Sequence, residues 1–90
     1  GTVRTALIIT SEPEAEAETV LKEMERGVTV LTGTGAYTGK ERPVLYTVVT
    51  RSEVQMLKSI VHQADAAAFM VIGAAHEALG EGFKSFKKQL

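Results

Sequence analysis

Residues 28–50 read VTVLT-GTGAYTGKER-PVLYTVVT, two β-branched runs on either side of a glycine-rich interval. Runs this rich in Val, Thr, Leu and Tyr read as strands, over residues 28–32 and 43–50. The ten residues between them, Gly33 to Arg42, are too many for a tight hairpin turn, so the spacing predicts a long loop. Upstream, Gly27 is placed to supply a left-handed helix stop. The helix it ends begins at Ser11-Glu12-Pro13-Glu14, where Ser11 can cap, Glu14 can reach back to the cap amide, and Pro13 loses no donor in the first turn. Ala17, Val20, Leu21 and Met24 share one face of that helix, with Glu14, Glu16, Glu18, Lys22 and Glu25 around the rest. Before it, residues 5–10 (TALIIT) form a buried strand. Downstream, Thr50-Arg51-Ser52-Glu53 offers a second capping box, Val54, Leu57, Ile60 and Val61 an apolar stripe, and residues 68–73 (AFMVIG) a last strand.

The order strand, helix, strand, strand, helix, strand predicts an α+β, ferredoxin-like βαββαβ sandwich, a four-stranded antiparallel sheet with two helices on one face, in one domain over residues 1–90. Two helices cover one face only. Yet the strands are apolar on both: Leu7 and Ile9 alternate with Ala6 and Ile8, Val44, Tyr46 and Val48 with Leu45 and Val49, Phe69 and Val71 with Met70 and Ile72. A sheet with one wet face should alternate apolar with polar. The open face is therefore expected to be buried against another copy or another domain, the alternative being a small sheet that tolerates exposed valine.

Ten basic and eleven acidic residues leave a net charge of −1, with no footprint for nucleic acid, and none is expected as a partner. Absence of cysteine excludes disulfides, thiolate metal sites and thiol nucleophiles. No apolar run reaches the ~20 residues of a membrane helix. The chain opens on Gly1 with a strand a few residues in, as expected of a piece of a longer protein.

The loop is the segment best suited to chemistry. Its glycines permit positive φ and converging amides, and Lys40 and Arg42 add charge for an anion. It is no Walker A loop: five residues separate Gly33 from Gly39-Lys40, Glu41 stands where a hydroxyl is needed, and a strand follows. The competing reading is a hairpin connection whose glycines serve turns alone. His62 and His76 have no third ligand at a metal spacing, so no metal, cofactor or catalytic residue is assigned. Other tenants of the ferredoxin-like plan lack required atoms: only Tyr46 is available for base stacking on the third strand, no cysteine pair exists for a metal chaperone, and no asparagine for acylphosphatase-like chemistry.

The motifs Glu25-Arg26-Gly27-Val28-Thr29, Gly33-Thr34-Gly35-Ala36-Tyr37-Thr38-Gly39-Lys40 and Leu79-Gly80-Glu81-Gly82-Phe83-Lys84 occur here in order. With them the chain resembles the C-terminal soluble domain of the YitT family of bacterial membrane proteins. The resemblance implies a GlnB-like (PII-like) variant of the fold, appended to an N-terminal multi-pass membrane region and lying on the cytoplasmic side. It also implies a homo-oligomer, trimer or dimer, with a mobile loop and ligands in clefts between subunits. By that analogy the ligand-binding positions are Gly33, Gly35, Tyr37, Thr38, Gly39 and Lys40, with Gly27, Thr29, Gly80, Gly82 and Lys84 as cleft walls. The expected function is a non-enzymatic regulatory domain that self-associates and binds a small anionic, nucleotide-like ligand through the loop; the alternative is an oligomerisation domain that binds nothing.

Overall fold

The computed structural model describes residues 3–83. Four strands, β1 (Val3–Ile9), β2 (Val28–Thr34), β3 (Glu41–Thr50) and β4 (Phe69–Ala75), and two helices, α1 (Pro13–Thr19) and α2 (Val54–Ala64), follow the order expected from the sequence. The sheet runs β2-β3-β1-β4, and every neighbouring pair is antiparallel. Both helices pack on the face carrying Ala6, Ile8, Leu45 and Val49, where Val20, Met24, Leu57 and Val61 complete the core.

Helix ends show which local signals prevailed. At α2 the expected capping box forms: Thr50 N–H donates to Glu53 Oε1 at 2.8 Å, and a 3-10 turn, Arg51–Glu53, leads into the helix. At α1 it does not. Ser11 Oγ donates to Asp65 at 3.0 Å, because the end of α2 offers a charged acceptor that outcompetes the helix amides. The left-handed residue after α1 is Glu25 (φ 55°), with no positive φ at Gly27.

Between α1 and that stop, Val20–Met24 form a π-helical turn. With more residues per turn, it keeps Glu16, Val20 and Met24 in one core-facing row. The face expected from a regular 3.6-residue period is shifted accordingly: Leu21 is 52% exposed, and Glu16, expected on a solvated surface, is buried.

The opposite sheet face has no cover among the described residues. Two side-chain rows cross all four strands, Thr29–Tyr46–Leu7–Val71 and Leu31–Val44–Ile9–Phe69. Leu7, Leu31, Tyr46, Phe69 and Val71 are all exposed there. The two-faced apolar character seen in the sequence is thus a property of the folded sheet.

Leu57 is fully buried between the helices and the sheet. Leu57→Ala should cost about 2–5 kcal/mol in urea unfolding, whereas Leu21→Ala should cost far less.

Candidate functional site

The β2–β3 connection is shorter than its composition suggests. Gly33 pairs with Arg42 and Thr34 with Glu41, so the ladder runs past the expected strand ends and leaves residues 35–40 as the loop. Within it Gly35 N–H donates to Lys40 O and Gly39 N–H to Gly35 O, both at 2.8 Å, and Lys40 N–H donates to Thr38 Oγ1 at 3.2 Å. Gly39 has φ +71°, and a Cβ on Gly35 would lie 2.8 Å from Thr38 Oγ1. These two glycines are required by the turn itself. Tyr37, at the tip, is fully exposed.

The other positions named from the family resemblance lie elsewhere. Gly27 and Thr29 stand at the start of β2, and Gly82 is beside them, its carbonyl accepting from Arg26 at 3.0 Å. Arg26 also donates to Glu53 at 3.0 Å and lies 4.4 Å from the Phe83 ring centroid. Gly80 belongs to the same turn, its carbonyl accepting from Phe83 N–H at 3.0 Å; Lys84 lies outside the described residues. The seven residues of β2, at about 3.3 Å each, separate this group from the loop within one chain.

Beneath the loop the ends of several elements line a half-open cavity of about 600 Å³. Ile9, Val44, Ala67 and Phe69 supply apolar wall; Thr10, Ser11 and Thr34 supply hydroxyls; Arg42 and Asp65 supply opposite charges; Gly33 and Gly35 complete the lining. Arg42 also borders an adjoining depression with Lys40 and Glu41. Neither cation has a side-chain partner among the described residues. Loop tip residues Tyr37, Thr38 and Gly39 line neither space.

Asp65 is the cavity's fixed point. Its Oδ2 accepts from Ser11 N–H and Ser11 Oγ, each at 3.0 Å, and its Oδ1 from Ala67 N–H at 2.9 Å. The Ser11 amide, then the Ala67 amide, hold this carboxyl below its ordinary value. Behind it, Thr10 Oγ1 lies within reach of both Asp65 Oδ2, at 3.3 Å, and Glu16 Oε2. A hydroxyl has one proton and cannot donate to both. Glu16 Oε1 is buried with no hydrogen-bond partner among the described residues. Burial raises the Glu16 carboxyl, the Thr10 hydrogen bond opposes that, and the charges of Asp65 and Glu12 raise it further. A protonated Glu16 donating to Thr10, with Thr10 donating to Asp65, uses each proton once.

No group of three or more His, Cys, Asp or Glu is placed to hold a metal among the described residues, and no helix there is long and apolar enough to cross a membrane.

Residues 26–80, which span β2 to the turn at Gly80, match the sequence profile of a family described as "Uncharacterized protein conserved in bacteria (DUF2179)". The chain belongs to this family. The UPF0750 membrane protein YvjA of Bacillus subtilis is 48% identical over 79 residues, 88% of this chain. YpjC of the same organism is 46% identical over 78 residues, 87% of the chain. The chain spans 28% and 27% of those two proteins' lengths. YitT is 34% identical over 65 residues, so this sequence is nearer to YvjA and YpjC than to the member whose name the motif resemblance carries. A crystal structure of a DUF2179 protein from Eubacterium ventriosum superposes with a TM-score of 0.71 at 25% identity, covering 81% of this chain and all of that one. A functionally unknown protein from Pediococcus pentosaceus, 11% identical, has a TM-score of 0.71 over 86% of this chain and 95% of its own, and shares the fold.

Folded Glu16 holds its proton more tightly than an unfolded glutamate, whose ordinary value is 4.5. Its contribution is therefore fully present below that pH and is lost as pH rises through the folded value. Glu16→Gln should match the parent near pH 4 and exceed its melting temperature by several degrees near pH 8. A variant less stable than the parent by the same margin at both pH values would refute a protonated Glu16.

Proposed function

We propose that this chain is a regulatory module at the C-terminal, cytoplasmic end of a longer membrane protein. It self-associates as a dimer or trimer through the open sheet face and takes a small anionic, nucleotide-like ligand at the β2–β3 loop. The observation that carries this reading is the uncharged apolar face spanning all four strands, which ends at a hairpin bearing two unpartnered cations, Lys40 and Arg42. The membrane-protein relatives support the attachment, with this chain covering little more than a quarter of YvjA. The β2-β3-β1-β4 order with both helices on one face supports a ferredoxin-like plan over residues 1–90. A PII-like assembly is supported by the two separated groups of family positions, since residues at opposite ends of one sheet meet only when a second copy contributes one of them.

The rival reading, an oligomerisation domain with no ligand, is favoured by one observation. Three loop amides that would otherwise face an anion are already satisfied within the loop.

Light scattering over a concentration series should report a dimer or trimer, and Tyr46→Glu together with Val71→Glu should reduce it to a monomer without unfolding it. A parent protein that stays monomeric at high concentration removes both readings. A thermal-shift screen of nucleotides, cyclic dinucleotides and phosphorylated metabolites separates them. A ligand at a hundred times its Kd adds about 2.7 kcal/mol of stability, and a flat screen leaves only the structural role.

A further inference from the structure

We infer that the ligand's seat is the cavity beneath the loop and that it takes an amphiphilic organic anion, a flat apolar ring joined to a phosphate or carboxylate. This inference rests on reading the loop as a ligand-binding element, and it moves the site from the tip to the base. At the tip the amides of Gly35, Gly39 and Lys40 are occupied, and Tyr37 projects free of the rest of the chain. A ligand there would have little surface to bury against. The cavity offers what the tip lacks, a concave space within the size range of small-molecule sites.

Its chemistry is asymmetric. One wall is the end of a side-chain row of the open face, where Val44, Ile9 and Phe69 stand side by side on three adjacent strands. A flat ring laid on this strip covers Phe69, 62% exposed, at the hairpin edge of the open face and leaves the Tyr46–Leu7–Val71 row to the second copy. The polar wall has a surplus of donors. Asp65 carries the cavity's negative charge, but both its oxygens already accept from Ser11, Thr10 and Ala67, so it has little capacity for a cationic ligand group. Arg42 is the reverse: a guanidinium with five N–H donors and no partner among the described residues. A phosphate or carboxylate satisfies it in bidentate fashion, and a neutral or cationic group does not. Glu41, in the adjoining depression beside Lys40, disfavours spread of negative charge in that direction and confines the anionic group to the Arg42 side. Ring on one wall and anion on the other is a recognition pattern that neither inorganic phosphate nor a bare nucleoside completes.

The test titrates adenosine monophosphate, phenyl phosphate, adenosine and inorganic phosphate into the full chain, read by calorimetry and amide chemical shifts. The two ring phosphates should bind and perturb Ile9, Ser11, Val44 and Phe69. Adenosine and inorganic phosphate alone should bind about tenfold more weakly or worse. Arg42→Ala and Phe69→Ala should each weaken adenosine monophosphate by about tenfold, with unchanged melting temperature for Arg42→Ala. Tyr37→Ala should leave the affinity within about twofold. Ring phosphates that bind Arg42→Ala as well as the parent but fail to bind Tyr37→Ala overturn the cavity and keep the loop. A ligand from the wider screen that binds while both ring phosphates fail also overturns the cavity alone. Failure of these probes together with every member of that screen overturns the ligand reading itself.

Discussion

Two helices are wide enough to cover one face of a four-stranded sheet, and in this fold both go to the same side. Everything else follows from how the sequence treats the face left over. A domain that lived with that face in water would alternate apolar and polar residues along each strand. Here the alternation is suppressed: Leu7, Ile9, Val44, Tyr46, Phe69 and Val71 all point away from the helices. The helix-side core is small, with eight buried residues from four elements among the described residues, and a second apolar surface stands outside it. Burying the second face adds stability in the same way as the first, through apolar area withdrawn from water. A partner on that face would therefore stabilise the fold as well as the assembly.

The two ends of the domain are organised differently. At one end Arg26 joins Glu53 to the turn at Gly82 and Phe83, so the start of α2, the entry to β2 and the segment after β4 are tied by a single side chain. Burial disfavours the charge on Glu53, but the Thr50 amide and Arg26 more than offset it and keep its pKa below the ordinary value. At the other end Asp65 ties the exit of α2 to the β1–α1 junction, and the hairpin projects past it with its cations unpaired. One end is saturated in its polar bonds and the other has donors to spare. The unpaired Lys40 and Arg42, more than the glycine content of the loop, set the hairpin end apart from the other.

Element order was legible because it rests on periodicities that tertiary structure had no reason to override. The Thr50–Glu53 box, the apolar stripe of α2 and the two-faced strands all appear as read. Local signals failed where a distant partner competed. Ser11 has the composition of a cap, but Asp65, fifty-four positions away, takes its hydroxyl. Gly27 looks like the stop, yet the π-helical turn ends the helix two residues sooner, at Glu25. The loop was overestimated because glycines at positions 33 and 35 mask a ladder that continues through Thr34 and Glu41; a Cβ on Gly33 would meet Arg42 O at 2.9 Å, so its glycine serves strand pairing. Arg42 was within reach of the sequence. Strict alternation along β3 puts it on the same face as Val44 and Tyr46, whereas the enclosure formed with Asp65 and Phe69 joins segments that no local pattern connects.

The π-helical turn has a consequence for how the chain tolerates change in length. Such a turn holds one residue more than an α-helical turn of the same rise. Deleting one residue from Val20–Met24 would regularise the helix and leave both halves facing as they do, whereas the same deletion in the regular helix α2 would swing one half by about 100° about the axis. Glu16 would stay on the core side and keep Thr10 as its neighbour. The π-helical turn is thus the place where this helix can lose a residue without unburying its acid.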